Sequence, residues 1–223
     1  REKGVPPGKI ATIENFIDTV AIQPLRKDNE FSRCYGIHNK FVIMYAGNIG
    51  IPHGVEILIS AAELLVNEED ILFCFVARGE NKTTVRKLAE TKHLANVRFI
   101  DPQPESRVPL IWASASVGAI TYRSGLADYS VPSKLLACMC AKRPALAVAD
   151  SGSGTATLVE KAKCGIVVPP EQPNNLAEAV LWLKSHAQER ERLAVNGRTY
   201  AETRLTPGRC VRAYDTLFHD LIQ

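Results

Sequence analysis

Several short clusters of glycine, serine and basic residues carry groups suited to holding an anion. They are Gly47-Asn48-Ile49-Gly50, Arg78-Gly79, Asp101-Pro102-Gln103, Tyr122-Arg123-Ser124-Gly125 and Asp150-Ser151-Gly152-Ser153-Gly154. Each follows directly on an apolar run. Glycine lets backbone N–H groups come close to a phosphate, and a helix N-terminus adds partial positive charge. Arg78, and Lys134 at the start of a further apolar segment, would add full charges suited to a diphosphate. Each residue also has an ordinary alternative. Gly47 and Gly50 suit a tight strand-to-helix turn, Arg78 and Lys134 suit a solvated surface, and Ser133 suits the cap of the helix it opens. His53, between Pro52 and Gly54, reads as a structural or exposed histidine rather than a catalytic one.

The signatures of other chemistries are missing. Gly47-x-x-Gly50 is not the G-x-G-x-x-G of a dinucleotide site, and no Gly-x-x-x-x-Gly-Lys-Ser/Thr loop occurs. Ser124-Gly125 lacks the G-x-S-x-G setting of a hydrolase nucleophile. The six cysteines, Cys34, Cys74, Cys138, Cys140, Cys164 and Cys210, form no C-x-x-C pair and no His/Cys cluster with zinc spacing. Several stand in apolar runs and read as reduced core thiols of a cytosolic protein. No metal and no cofactor are expected, and no catalytic residue can be singled out.

The elements that must position these clusters alternate regularly. Continuous apolar runs predict buried strands at 41–46, 71–77, 96–100, 116–121, 144–148 and 165–168. Between and after them, three- and four-residue apolar spacing predicts helices at 55–65, 83–93, 107–114, 133–140, 156–162, 175–182, 188–204 and 207–222. Residues 122–132 read as a long loop. Repeated strand–helix alternation means an α/β fold, a doubly wound parallel sheet with helices on both faces. In such sheets ligands bind beyond the carboxyl ends of the strands, where every cluster above falls. Residues 1–39 are rich in Pro, Asp, Asn and Lys and read as a linker or the end of a preceding domain. Residues 40–205 form the sheet domain, and 206–223 form a terminal helix.

Composition narrows the function classes. The 223 residues carry a formal net charge of +3 and are 46% hydrophobic, which suits a globular domain. No basic run with interleaved aromatics occurs, so nucleic acid is not an expected partner. No apolar stretch approaches the roughly 20 residues that span a bilayer. The start, Arg1-Glu2-Lys3-Gly4, has no apolar signal region and no initiating Met, and reads as the middle of a longer protein.

Taken in order, several segments resemble one family. Ile13-Glu14-Asn15-Phe16-Ile17-Asp18 is similar to an interdomain "I-P-N-x-x-D". Phe41 to Gly50, Gly54-Val55-Glu56, Ala61-Ala62 and Asn96-Val97-Arg98-Phe99 follow. Val131-Pro132-Ser133-Lys134-Leu135 with Arg143-Pro144 is the most specific piece, and Cys164-Gly165-Ile166-Val167-Val168-Pro169-Pro170 closes the set. The chain resembles the C-terminal, donor-binding domain of family-4 (group 1) glycosyltransferases, enzymes of two Rossmann-like domains (GT-B). It is most similar to the bacterial subgroup that builds surface polysaccharides.

The resemblance implies a retaining glycosyl transfer from a nucleoside-diphosphate sugar, a UDP-sugar, in bacterial polysaccharide or lipopolysaccharide biosynthesis. It implies that Gly47, Asn48, Gly50, Arg78, Gly79, Ser133 and Lys134 lie by the donor diphosphate and sugar, with Ser153, Gly154 and Thr155 at the sugar or distal phosphate. Ile100, Asp101, Pro102 and Gln103 would hold the base. A glycan or lipid-linked acceptor would bind through a missing N-terminal domain, and the fragment alone would not turn over. The terminal helix would cross to that domain, leaving an apolar face through which the fragment could form a homodimer. The location would be cytoplasmic, with peripheral contact to the inner membrane left open.

The sequence departs from the family pattern at defined places. Of two glutamates about eight residues apart, the first position is Tyr129 and the second Ala137. His53 stands for a lysine, Lys142 for a glycine and Glu14 for a proline. The alternatives to an active transferase are a non-catalytic nucleotide-sugar-binding module and a nucleotide-sugar epimerase-like domain.

Overall fold

The structure, a computed structural model, describes residues 4–126 and 133–222. Six parallel strands form one sheet in the order β3-β2-β1-β4-β5-β6. They are β1 (Phe41–Asn48), β2 (Ile71–Arg78), β3 (Val97–Ile100), β4 (Val117–Thr121), β5 (Ala145–Val148) and β6 (Gly165–Val168). The helices are α1 (Glu30–Cys34), α2 (Glu56–Leu64), α3 (Lys82–Thr91), α4 (Val108–Ala113) and α5 (Ser133–Cys140), then α6 (Gly154–Ala162), α7 (Pro173–Ser185), α8 (Ala187–Arg204) and α9 (Pro207–Ile222). The doubly wound α/β expectation therefore holds.

Alternation along the strands assigns the two faces. Ile43 and Tyr45 of β1 join Phe73 and Phe75 of β2 under Val55, Leu58, Ile59, Val85, Leu176 and Val180. That face is roofed by α2, α3 and α7. Val42 and Met44 point the other way, to Phe31, Ile37 and Ile111. Farther along the same face, Ile120, Ala145 and Ala147 meet Trp112, Leu135, Leu136, Met139 and Val159. Runs buried on both faces read as continuous apolar sequence, which is why β1, β2, β4 and β5 were visible without a structure. The Phe75 ring stacks on Phe99 at 4.7 Å and lies 6.2 Å from Tyr45. Phe75→Ala is expected to cost about 3–5 kcal/mol of stability, seen as a lower urea midpoint at unchanged slope.

The chain winds outward from β1 to β3 and then returns to β4 on β1's other side, so the sheet switches direction between β1 and β4. There the ladder opens. β1 pairs with β2 along all of Phe41–Asn48, but with β4 only at Ile43–Val117 and Met44–Gly118. The last residues of β1 thus stand unpaired with β4 at the switch point, where sheets of this kind form their ligand crevice.

One element was not foreseen. α1 (Glu30–Cys34) is capped by Asn29 in a capping box in which Asn29 Oδ1 accepts from the Ser32 N–H at 3.1 Å and Ser32 Oγ from the Asn29 N–H at 2.9 Å. Phe31 and Ile37 are fully buried. The preceding stretch runs over α5 and α8, where Arg198 donates to the carbonyls of Ile22 (2.8 Å), Cys140 (2.8 Å) and Thr19 (3.1 Å). At the other end, α9 buries nothing, and Val211, Tyr214, Phe218 and Leu221 are exposed. Cys74, Cys138, Cys140 and Cys164 are buried free thiols, and burial pushes Cys74 and Cys164 up to about 12. No helix among the described residues is long and apolar enough to cross a membrane.

Candidate functional site

The crevice is built around Gly47, the second-last residue of β1. Its φ of +132° lies where only glycine is unstrained, and a Cβ there would meet Lys134 Cε at 2.8 Å. Lys134 enters from the first turn of α5, and its ammonium lies 5.3 Å from the centre of the Tyr45 ring. The lysine is half-buried, and among the described residues it has no ion-pair partner. Burial pushes its pKa down. An ammonium held this way has lost part of its hydration without gaining a counter-ion among the described residues. The Tyr45 hydroxyl, itself pushed up by burial, donates to the Asn48 carbonyl at 2.7 Å and fixes the end of β1.

Gly79 closes the neighbouring strand end. Its φ is +118°, and a Cβ would strike Asn48 Oδ1 and lie 2.6 Å from the Ile49 carbonyl oxygen and 2.9 Å from its nitrogen. The Ile49 N–H donates to the Arg78 carbonyl at 2.7 Å, and the Asn81 N–H to the Ile49 carbonyl at 3.2 Å. The β1 and β2 loops are therefore one laced unit. Gly47, Asn48, Gly50, Gly79 and Lys134 come together in it. Arg78 is exposed beside them, and Ser133 is exposed at the start of α5.

His53 belongs to the same unit, though the sequence reading set it aside. It closes a 3-10 turn (Ile51–His53), and its Nδ1 accepts from the Gly50 N–H at 2.9 Å. The neutral ring then carries its proton on Nε2, a donor with no partner among the described residues. The ring lies 5.7 Å from Tyr122. Burial, and then the charge of Lys134, pushes the His53 pKa down. A lowered folded pKa favours the neutral ring, so its contribution is complete above about pH 6.5 and is lost as pH falls toward the folded value. The thermal midpoint should drop on acidification below about pH 6.5, and His53→Gln should flatten that drop.

The remaining expected residues divide. Ile100, Asp101, Pro102 and Gln103 sit at the end of β3, with β2 between them and β1. Asp101 is paired with Lys82 at 2.9 Å, and Gln103 donates to the Tyr35 hydroxyl (3.2 Å) and the Asp101 carbonyl (3.0 Å). Past β5, Ser153 is the N-cap of α6, accepting from the Ala156 N–H at 3.2 Å. Ser153 and Thr155 are both buried, so a ligand would meet backbone rather than hydroxyl here, and Gly154 is the exposed member. Asp150 joins this rim to the β4 loop, accepting from Ser124 Oγ (2.9 Å) and the Gly125 N–H (2.6 Å).

Sequence reasoning also missed Glu56. Its Oε1 accepts from Asn81 (2.7 Å) and Arg123 (3.2 Å), while its buried Oε2 has no partner among the described residues. Ala137, at the second family glutamate position, is buried in the core, and Tyr129, at the first, lies outside the described residues along with Val131 and Pro132. No group of three or more His, Cys, Asp or Glu among the described residues could hold a metal ion.

The arrangement is a glycine-lined crevice with one half-buried lysine that has no ion-pair partner among the described residues, and the chain is similar in sequence to known proteins. The pattern described as "Glycosyl transferases group 1" matches residues 28–200. The chain belongs to this family. It is 28% identical over 181 residues to the probable glycosyltransferase WbjE of Pseudomonas aeruginosa, a match covering 81% of this chain and 45% of that protein. It is 29% identical over 158 residues to the putative colanic acid biosynthesis glycosyl transferase WcaI of Escherichia coli K12, covering 69% and 39%. The chain thus spans less than half the length of either relative. Among solved structures it shares its fold with Anabaena Alr3699/HepE, crystallised with UDP-glucose, at a TM-score of 0.79 and 18% identity, covering 98% of this chain and 60% of that one.

Proposed function

We propose that the crevice between β1 and α5 binds the diphosphate of a nucleoside-diphosphate sugar, and that the chain is the donor-holding part of a retaining glycosyltransferase in bacterial polysaccharide or lipopolysaccharide biosynthesis. The observation that carries this reading is Lys134, half-buried against Gly47 with no ion-pair partner among the described residues. A doubly negative ligand would restore the charge balance that the fold leaves open.

In this reading the backbones of Gly47, Asn48 and Gly50, with Gly79 and Arg78, face the phosphates. Ser133 and Lys134 hold the diphosphate from the start of α5. His53 Nε2 adds a neutral donor. Ile100 to Gln103 hold the base through backbone groups, and Ser153 to Thr155 meet the sugar at the N-terminus of α6. As the glycosidic bond breaks, negative charge grows on the leaving diphosphate. A buried ammonium and fixed N–H groups stabilise that charge without reorganising. No metal is assigned to the site. UDP-glucose bound to Alr3699/HepE supports uridine as the base.

The acceptor, a glycan or lipid-linked glycan, would bind through parts of the relatives that this chain does not span, so turnover by this chain alone is not expected. The bare face of α9 supports self-association of the chain, to be read from its size in solution. The buried Ala137 favours one further reading, a module that binds donor without catalysis.

The test is calorimetric titration of the purified chain with UDP-, GDP-, ADP- and TDP-sugars. Saturable binding confined to uridine nucleotides is the expected result. Binding confined to another base would overturn the uridine assignment. A folded protein that binds none of the panel would overturn the donor site.

A further inference from the structure

The opposite end of the sheet holds a second concentration of positive charge. A cavity of about 310 Å³ opens at the N-terminal ends of β1, β4 and β5. Lys27, Lys142, Arg143 and Arg190 line it, and Glu191 is the one carboxylate among its described lining residues. Glu191 is already paired with Lys142 at 2.5 Å. Among the described residues, no ion pair joins Lys27, Arg143 or Arg190 to a carboxylate.

Backbone carbonyls hold these three cations in place. Lys27 donates to the Lys40 carbonyl. Arg143 donates to the carbonyls of Ala113 (2.6 Å) and Leu25 (3.0 Å). Arg190 donates to those of Leu183 (2.6 Å) and Lys184 (3.1 Å), at the end of α7. A carbonyl satisfies a donor but does not cancel a charge. Burial, and then the charges of Arg143 and Arg190, push the pKa of Lys27 down, while Glu191 acts favourably on both guanidinium groups. If helix capping were the whole role, every buried donor would be spent on it. Instead, among the described residues, the Arg143 Nε–H is buried without a partner, as is His38 Nδ1 in the same cavity wall.

We propose that this cavity is a second anion site, taking a phosphate group among Lys27, Arg143 and Arg190, separate from the crevice at the other end of the strands. A tetrahedral dianion would pair with the Lys27 ammonium and the two guanidinium groups and offset the repulsion that Arg143 and Arg190 exert on Lys27. A guanidinium beside an ammonium matches phosphate in both charge and donor geometry. The cavity has room for inorganic phosphate or for a small phosphomonoester, and both carry the same recognised group. The site owes nothing to the donor reading.

Calorimetry tests the proposal with inorganic phosphate and with glycerol 3-phosphate, using Lys134→Met protein so that the crevice does not contribute. Saturable phosphate binding is expected, weakened at least tenfold when Lys27→Met is added. If that variant fails to fold, Arg190→Gln is expected to weaken binding by the same factor. Tighter binding of glycerol 3-phosphate would support the proposal with an ester as ligand, and equal or weaker binding would support it with free phosphate. Absence of saturable phosphate binding to Lys134→Met protein would overturn it. So would an affinity that Lys27→Met, or its substitute, leaves unchanged in folded protein.

Discussion

Lys134→Met is expected to weaken UDP binding about tenfold to a hundredfold while leaving the thermal midpoint unchanged or raised. The two halves of this result have one cause. A hydrogen bond to a charged group contributes about 1.5–3 kcal/mol, and each 1.4 kcal/mol is a factor of ten in affinity. Without ligand, the ammonium is half-buried beside Gly47 and near the Tyr45 ring, with no ion-pair partner among the described residues. Methionine keeps the stem's packing and removes a charge that burial disfavours. A residue kept for stability alone would do the reverse, lowering the midpoint when replaced. Calorimetry for affinity and calorimetric melting for stability separate these outcomes on the same samples.

Gly79→Ala is expected to lower the thermal midpoint by roughly 10 °C and to abolish measurable UDP binding. The methyl group would meet the Ile49 backbone at 2.6 and 2.9 Å, and backbone cannot swing aside as a side-chain tip can. Overpacking of this kind costs about 1–3 kcal/mol. The φ of +118° adds strain for any residue with a Cβ, on the order of 1–3 kcal/mol. In a domain of this size each kcal/mol shifts the midpoint by about 2–4 °C. Ile49 also carries the two hydrogen bonds that lace the β1 and β2 loops, so relief of the clash displaces Asn48 and Gly50. A midpoint within two or three degrees of wild type, by the same relation, would show that the loop is loose and not a preformed cradle.

How legible these features were depended on whether a residue's role is local. β1, β2 and β4 are buried on both faces, and that alone makes their sequences continuous and apolar. α1 escaped notice because Phe31 and Ile37 are isolated apolar residues in a polar stretch, and the helix rests on an Asn29–Ser32 capping box rather than on periodicity. The Ser153 cap was readable from its place before the apolar run of α6, although the sequence reading gave the serine only a ligand role.

In the crevice, the types and order of Gly47, Gly50, Gly79 and Lys134 were visible. That Lys134 is half-buried was not, since a lysine opening a helix is written identically whether solvated or enclosed. His53 acts through the Gly50 N–H and Tyr122, and Tyr45 acts through Asn48 and Lys134. Only the fold supplies these tertiary contacts. The cationic cavity is the extreme case, since Lys27, Arg143 and Arg190 are far apart in sequence and meet only where strands β1 and β5 begin.

The most direct measurement of the central claim is a crystal structure of the chain grown with UDP. The account predicts the diphosphate in the crevice between Gly47–Gly50 and the start of α5, with Lys134 Nζ in hydrogen-bond contact with a phosphate oxygen. A diphosphate seated elsewhere, with Lys134 still unpaired, would contradict it.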